Sequence, residues 1–263
     1  MLVFIIPIKS PQISSSWELV SKLFERCVKS ICNQTSTEFR VVVICNQRPE
    51  TEFKHPHIIY IEVDFPVPTW SDHTDFTSRE LDKSRKIFTA LLYARQLNPS
   101  HIMFVDADDC VSKHLAEFVG HNLECSGWVI DKGYEYHDGS RFIYRKKNRF
   151  HLKCGTAHVI RFDLVNPPEN LTPDDIAWDY FYHQSIADTL DGRGVPLTYL
   201  PFEGAVYITE NKENIYYQKK RILKSFNFNH KKLLRFYGRF FYEMLTSRPL
   251  TESIRDEFGL YSL

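Results

Sequence analysis

The chain has 263 residues, of which 43% are hydrophobic, 14% aromatic and 25% charged. This composition is typical of a folded protein with a substantial core, and it excludes disordered, collagen-like and membrane-spanning chains. The 33 Lys and Arg residues balance the 33 Asp and Glu residues, so no overall field favours nucleic acid or another polyanion. The six cysteines lack the spacing of a metal site, and we interpret them as reduced thiols.

The first half of the chain alternates between predicted strands and helices. Apolar residues at three- and four-residue spacing predict a helix over residues 17–31, capped by a serine among residues 14–16, and a second helix over about 83–97. Apolar runs rich in β-branched residues predict buried strands at residues 2–8, 39–45, 57–63 and 102–105. This alternation predicts a mainly parallel sheet that binds ligands beyond the carboxyl ends of its strands.

The second half has a different pattern. Short apolar segments predict strands at residues 127–130, 141–144 and 157–162 without long helices between them. A helix is predicted over about residues 176–190, followed by a late strand at 197–200. The fold class is therefore α/β, doubly wound, with a mainly parallel sheet and a mixed or antiparallel second half.

Two segments bear on cellular location. The N-terminal apolar run is too short to cross a bilayer and has no basic segment before it, so the sequence predicts a cytoplasmic protein. Residues 215–242 contain eight Lys and Arg residues, no acid and many aromatic residues. They fit an amphipathic helix that lies on anionic lipid at the inner face of the membrane. Docking onto the rest of the chain or onto an acidic partner is the alternative; nucleic acid is not expected.

An acidic motif follows the predicted strand at residues 102–105. Asp106 and Asp108 project to the same side of an extended chain, and Ala107 between them leaves room for a ligand. Paired carboxylates suit Mg²⁺ or Mn²⁺, which usually also bind water and substrate phosphates. The alternative is a solvated turn that caps a helix beginning near Ser112.

Three basic residues stand at the start of the helix predicted over residues 83–97, namely Lys83, Arg85 and Lys86. The N-terminus of a helix attracts phosphate through its free N–H groups and its macrodipole. These residues are therefore candidates for binding a diphosphate. An exposed polar turn after Glu80 and Asp82 explains them equally well.

Together these features resemble the family 2 glycosyltransferases, which use nucleotide sugars and have the GT-A fold. The resemblance covers about residues 1–212. It is carried by Phe4-Ile-Ile-Pro-Ile-Lys9, Ser30-Ile-Cys-Asn-Gln-Thr35, the strand at 39–45 and Phe104-Val-Asp-Ala-Asp-Asp109.

The resemblance implies that a nucleotide-diphosphate sugar lies across the strand ends, with Mn²⁺ or Mg²⁺ held by Asp106 and Asp108. Asn46 stands where family members commonly carry an acid that contacts the base, so a charge-assisted bond is missing there. His183 and Glu210 are candidates for a third metal ligand, and a packed helix histidine is the alternative for His183. The implied donor-binding residues are Pro7, Asn46, Lys83, Arg85, Lys86, Asp106, Ala107 and Asp108.

The resemblance also implies a carboxylate that deprotonates the acceptor hydroxyl, with inversion at the anomeric carbon. The matching region is residues 172–183, and the base is Asp179 or Asp175. We favour Asp179 because it directly precedes an aromatic helix face, and N-capping is the alternative role. Residues 154–156 are expected near the acceptor because Gly155 permits close approach, although a simple turn also explains them.

We therefore predict a glycosyltransferase domain over residues 1–212, with a donor-binding part at about 1–120 and an acceptor-binding part at about 121–212. A basic, aromatic helical extension follows at 213–263. The expected reaction transfers a sugar to a saccharide or another hydroxyl acceptor. One alternative is a noncatalytic module that binds sugar nucleotides or docks on a membrane. Another is a sugar nucleotidyltransferase, but the loop after the first strand lacks the glycines that this activity needs.

Overall fold

The computed structural model of the protein describes residues 1–67, 76–168, 170–179, 181–209, 211, 213 and 246–263. Within these ranges the chain forms a seven-stranded and a five-stranded sheet. The strands are β1 (Leu2–Pro7), β2 (Phe39–Cys45), β3 (Ile58–Glu62), β4 (His101–Phe104), β5 (Cys110–Val111), β6 (Gly127–Val129), β7 (Gly133–His137), β8 (Phe142–Lys146), β9 (His158–Arg161), β10 (Thr198–Tyr199), β11 (Ala205–Thr209) and β12 (Ser247–Pro249). The α-helices are α1 (Trp17–Cys32), α2 (Phe76–Ala94), α3 (Leu115–Gly120), α4 (Ile186–Gly192) and α5 (Glu252–Phe258).

The seven-stranded sheet has the strand order β10-β6-β9-β4-β1-β2-β3. β1 lies near its centre and pairs in parallel with both β2 and β4. A strand that is covered on both faces can be apolar at every position, which explains the uninterrupted apolar run of β1. β9 runs antiparallel to β4 and β6. The predicted α/β class, with a parallel core and a mixed second half, is confirmed.

Helices cover both faces of this sheet. Ser16 caps α1 as predicted, and α1 packs on the face that carries Phe4 and Ile6 of β1. α2 packs on the opposite face, which carries Val3 and Ile5. Alternate residues of one strand therefore enter two separate cores, and the doubly wound arrangement is confirmed.

The five-stranded sheet has the strand order β12-β8-β7-β11-β5. β7 and β11 run parallel, whereas the other neighbours run antiparallel. β12 pairs with β8, and α5 buries Phe258 in the core of this sheet together with Leu260. The last residues of the chain are thus part of the folded unit.

The proposed boundary at residue 212 stays a prediction. Most of the extension from 213 to 263 lies outside the described residues, and these include the basic segment 215–242 with its expected membrane contact. Among the helices of the described ranges, none is long and apolar enough to span a bilayer.

Two predicted helices differ from the structure. α2 begins at Phe76 rather than near residue 83, because its first turns are polar and give no apolar periodicity. The helix predicted over residues 176–190 forms only at Ile186–Gly192. Its earlier part follows a short 3-10 turn at Pro173–Asp175, and its apolar residues Ile176 and Phe181 pack against the sheet from a non-helical segment.

A buried ion pair connects α1 to the second sheet. The fully buried Arg26 guanidinium donates to Asp138 Oδ1 at 2.8 Å and to the Tyr261 carbonyl oxygen at 3.0 Å. Removing one partner of such a pair leaves a buried charge without compensation, which costs much more free energy than losing an exposed pair.

We expect Arg26→Ala to lower the free energy of unfolding by about 3–5 kcal/mol, measured by urea denaturation. Lys22→Ala is the matched control on the same helix, because Lys22 forms an exposed pair with Glu18, and it should leave the unfolding midpoint unchanged. Equal stabilities of the two variants would contradict a structural role for the Arg26 pair.

Candidate active site

A cavity of about 250 Å³ opens where the chain leaves β1 and β4. α1 and α2 supply two of its walls, and Tyr207 of β11 also faces it. The charged residues that line it are Lys9, Arg79, Lys83, Lys86, Glu80, Asp82, Asp106, Asp108 and Glu213. The cavity therefore lies at the sheet edge where the sequence predicts ligand binding, and its lining carries both signs of charge.

Asp106 is placed by contacts with two other elements. Its backbone N–H donates to Thr156 Oγ1 at 2.9 Å, and its Oδ1 accepts a hydrogen bond from Lys83 Nζ at 2.5 Å. Burial raises the pKa of Asp106, but the charge and hydrogen bond of Lys83 outweigh burial and hold this pKa below its ordinary value. Asp106 is therefore an ionised carboxylate at neutral pH.

Gly155 makes room for this carboxylate. A Cβ atom on residue 155 would come closer than 3.0 Å to Asp106 Oδ2, a separation that real Cβ atoms essentially never show. The sequence indicated that Gly155 allows a close approach, and the structure identifies Asp106 as the group that approaches it.

Asp108 faces the same cavity and accepts a hydrogen bond from Asn211 Nδ2 at 2.7 Å. Burial and the neighbouring charge of Asp106 raise its pKa. Asp109 points away into the core, where Thr156 Oγ1 donates to it at 2.7 Å and the Ile208 N–H at 3.1 Å. Burial, followed by the charges of Asp108 and Asp106, raises its pKa well above the ordinary value.

Six of the eight predicted donor-binding residues line the cavity, and Asn46 and Arg85 do not. Asn46 Nδ2 donates to the carbonyl oxygens of Val63 and Phe65 at 3.3 and 3.4 Å, and within the part of the chain that the structure describes its buried Oδ1 has no hydrogen-bond partner. The Arg85 guanidinium lies 3.2 Å from a carboxylate oxygen of Asp174. The six that line the cavity are Pro7, Lys83, Lys86, Asp106, Ala107 and Asp108.

The basic residues of α2 do not lie at a helix N-terminus, so that part of the prediction is wrong. Because α2 begins at Phe76, Lys83, Arg85 and Lys86 belong to its interior and gain nothing from free N–H groups. Lys86 is buried and donates to Asp82 Oδ2 and to the Ile8 carbonyl oxygen, each at 2.8 Å. Of the three, Lys83 is the one whose ammonium contacts the acidic motif.

Sequence reasoning missed an anion-binding arrangement at the start of α1. The carboxylate of Glu213 is bound by Lys9 Nζ and the Ser15 hydroxyl, and the Ser16 N–H donates to it at 2.8 Å. Lys9 lies two residues after the end of β1, which could have signalled a role at the strand end. Glu213 is 204 residues away from Lys9 in sequence, and no local pattern could have joined the two.

Glu80 on α2 was also missed. It lines the cavity, and burial raises its pKa, with Lys83 opposing this shift and Asp106 adding to it. A carboxyl group with a raised pKa beside a cavity is a candidate for proton exchange. Glu80 was missed because the sequence predicted this helix only from about residue 83.

The two candidate bases have different surroundings. Asp175 Oδ2 accepts hydrogen bonds from the Thr172 N–H and hydroxyl at 2.8 and 2.7 Å, which lower its pKa. It therefore caps its own turn. Asp179 is exposed and lies between Trp178 and Tyr182, whose rings pack edge to face at 5.9 Å.

His183 lies close enough to Lys83 and Asp106 for their charges to affect its pKa. Burial, followed by the charge of Lys83, lowers the pKa of His183 to about 4, and the charge of Asp106 opposes this shift. Its buried Nε2 has no hydrogen-bond partner among the described residues. His183 is therefore neutral at pH 7. The second candidate for a third ligand, Glu210, lies outside the described residues.

The residues present fit a hard divalent cation that a substrate also coordinates. Two carboxylates, Asp106 and Asp108, face one cavity, and Gly155 keeps the space beside one of them open. Among the described residues no group of three or more His, Cys, Asp or Glu side chains could hold a metal by itself. Mg²⁺ needs only one or two protein carboxylates when water and phosphate complete its coordination. The Lys83 ammonium competes for Asp106.

No protein-family model matches the chain, and no curated protein matches its sequence. Among solved structures, residues 1–349 of S. aureus TarS in complex with UDP have a TM-score of 0.47 and 12% identity over 79% of this chain and 60% of that chain. The same TarS fragment with UDP-GlcNAc has a TM-score of 0.43 and 12% identity over 80% and 58%.

A third similar structure is Francisella tularensis 2-C-methyl-D-erythritol 4-phosphate cytidylyltransferase. It has a TM-score of 0.37 and 12% identity over 81% of this chain and 92% of that chain. The chain spans about three fifths of the length of the TarS fragments. At this level of similarity, a function has to be derived from the chain's own residues.

We expect Gly155→Ala to move the Asp106 carboxylate by roughly 1 Å or more, because a methyl group needs about 3.5 Å from a neighbouring heavy atom. Gly120→Ala is the control, since nothing lies within 4 Å of a Cβ atom there. Crystal structures of both variants would measure the displacement. An Asp106 side chain that keeps its contact with Lys83 in Gly155→Ala would show that the backbone yields instead.

Proposed function

We propose that this protein is a glycosyltransferase, which transfers a sugar from a nucleotide-diphosphate sugar to a hydroxyl group of a saccharide or another acceptor. The observation that carries the proposal is the pair Asp106 and Asp108 in a cavity at the end of β1 and β4, with the ammonium groups of Lys9 and Lys83 in the same cavity. Carboxylates for a divalent cation and cations for phosphate are what a diphosphate donor requires.

Asp106 and Asp108 would hold Mn²⁺ or Mg²⁺, which supplies positive charge for the departing diphosphate. Lys83 is placed to contribute a further positive charge, since its ammonium already lies beside Asp106. Pro7 and Ala107 would lie beside the donor and contribute no charge. Asn46 offers a buried acceptor atom, Oδ1, at the end of β2, in the position that the resemblance assigns to base binding.

The proposed chemistry is a single displacement. The acceptor oxygen forms a bond to the anomeric carbon while the bond from that carbon to the diphosphate oxygen breaks, and its electron pair leaves with the nucleoside diphosphate. The acceptor proton passes to a carboxylate on the opposite side of the sugar. Asp179 suits this role better than Asp175, because the carboxylate of Asp175 already accepts two hydrogen bonds within its own turn.

We expect release of nucleoside diphosphate from a donor panel to require Mn²⁺ or Mg²⁺. Asp106→Asn and Asp108→Asn should each lower the rate by at least about 100-fold, because developing charge loses its stabilisation. Asp163→Asn is the control, since Asp163 forms an exposed pair with Arg161. Donor binding without turnover in any acceptor mixture would favour the noncatalytic module, and release of pyrophosphate from a nucleoside triphosphate would favour the nucleotidyltransferase.

Removing the proposed base should separate binding from transfer. We expect Asp179→Asn to bind the nucleotide with unchanged affinity in calorimetry and to transfer sugar about 100-fold or more slowly, since general base catalysis contributes roughly 10²–10⁴-fold. Asp175→Asn is the comparison and should change stability more than rate. A normal transfer rate in Asp179→Asn, with a slow rate in Asp175→Asn or Glu80→Gln, would move the base to that residue.

A further inference from the structure

A second hollow, of about 350 Å³, lies beside β8 and the turn that follows it. It is lined by Lys146, Asn148, Arg149, Leu152 and Lys153. The chain from residue 139 to residue 162 carries no acidic residue, and three of the five residues that line the hollow are Lys or Arg. This basic hollow contains none of the residues that line the donor cavity.

Part of this charge is compensated and part is free. Lys146 Nζ lies 3.0 Å and Lys153 Nζ 3.6 Å from Glu135 Oε2, so one carboxylate serves two ammonium groups. Burial opposes the ionisation of Glu135, but its hydrogen bond with His137 and these two ammonium groups hold its pKa below the ordinary value. The exposed Arg149 has no carboxylate partner for its guanidinium within the described ranges. An excess of positive charge remains in the basic hollow.

The backbone holds Arg149 in this position. Its φ is 56°, in the left-handed region that residues with a Cβ rarely adopt. Its N–H donates to Asp131 Oδ1 at 2.6 Å, which fixes the turn. A residue kept in a costly conformation at the edge of a hollow is an observation from which a functional role can be inferred.

The basic hollow is close to the acidic motif. Lys153 precedes Gly155 by two residues, and Gly155 contacts the Asp106 carboxylate. With 3.8 Å between consecutive Cα atoms, the Lys153 Cα lies within about 12 Å of that carboxylate. Gln184, next to His183, donates to the Leu152 carbonyl oxygen at 3.0 Å. The basic hollow is therefore a near neighbour of the Asp106 carboxylate.

We propose that the basic hollow binds an anionic group, a phosphate or a carboxylate, carried by the acceptor. This inference rests on the proposed function and gives its acceptor a chemical class. Arg149 supplies a planar guanidinium that can bind either anion with two hydrogen bonds. Leu152 supplies an apolar contact for a sugar ring, and Lys153 adds charge on the side nearest to Asp106.

The test measures binding by calorimetry, with the donor cavity saturated by nucleoside diphosphate and Mg²⁺. The probes are tetragalacturonate for the carboxylate arm and glucose 6-phosphate for the phosphate arm, with maltotetraose and glucose as neutral counterparts. We expect at least one charged probe to bind more than tenfold more tightly than its neutral counterpart. This preference should weaken as salt rises, and the arm that binds identifies the anion.

Arg149→Gly is the informative variant, because glycine adopts the left-handed conformation without cost and the turn should keep its fold. It should weaken binding of the charged probe at least fivefold. Arg141→Gln is the matched control, since Arg141 is exposed on the same basic segment but does not line the basic hollow, and its effect should be under twofold. Near-ultraviolet circular dichroism checks the fold of both variants.

Three results would overturn the inference: no preference for either charged probe, equal losses in Arg149→Gly and Arg141→Gln, or equally tight binding of a single-stranded DNA oligomer. Failure of the proposed function is a different result: the wild-type protein would neither bind a nucleoside diphosphate nor release one from a donor. Probe binding needs no catalysis, so the two failures are distinguishable.

Discussion

Two negative charges one residue apart, on Asp106 and Asp108, are held at the point where β4 leaves the core, and much of the surrounding structure compensates for their repulsion. Each carboxylate raises the free energy of the other, and burial adds to this cost. Lys83 offsets the charge of Asp106 directly, whereas Asp108 accepts a hydrogen bond from the neutral amide of Asn211. Within the part of the chain that the structure describes, no ion pair compensates Asp108, which is a general reason to expect a cation or proton there.

The same acidic segment connects the two sheets. Asp109 accepts hydrogen bonds from Thr156, which precedes β9, and from the backbone of Ile208 in β11. Thr156 also accepts from the backbone of Asp106. One hydroxyl and one carboxylate thus fix the position of Asp106 relative to both sheets. The five-stranded sheet is consequently part of the support of the site, and packing at β11 is coupled to its geometry.

The sequence was sufficient where a local pattern reports burial. β1, β2, β4 and α1 were predicted within a few residues, because the strands are short continuous apolar runs and the apolar residues of α1 repeat with the period of a helix. The first turns of α2 were missed because residues 77–80 are all polar and leave no apolar signal. For residues 176–185 the error was the opposite: a helix was predicted from apolar residues, but Ile176 and Phe181 are buried without forming one.

The site was predictable in its centre and not in its surroundings. Asp106 and Asp108 follow an apolar strand, and that position alone indicated a ligand site. Contacts such as Lys9 with Glu213 and Asp108 with Asn211 join residues more than 100 positions apart, and only the folded chain brings them together. Gly155 lies between these cases: its flexibility was visible in the sequence, but the carboxylate that needs the space was not.

Cationic side chains are present both in the donor cavity and in the basic hollow, and this arrangement bears on the binding of two anions at once. The donor cavity contains Lys9 and Lys83 among residues of both charge signs, and the basic hollow contains Arg149 and Lys153. Two unit charges repel by only about 0.3 kcal/mol in water when they are about 12 Å apart. Each ammonium or guanidinium that binds its own anion supplies a larger attraction than this. A diphosphate donor and an anionic acceptor can therefore be bound together at such a separation. Each anion would contact its own cationic side chains, whereas the repulsion between the two anions acts over a longer distance and is weaker.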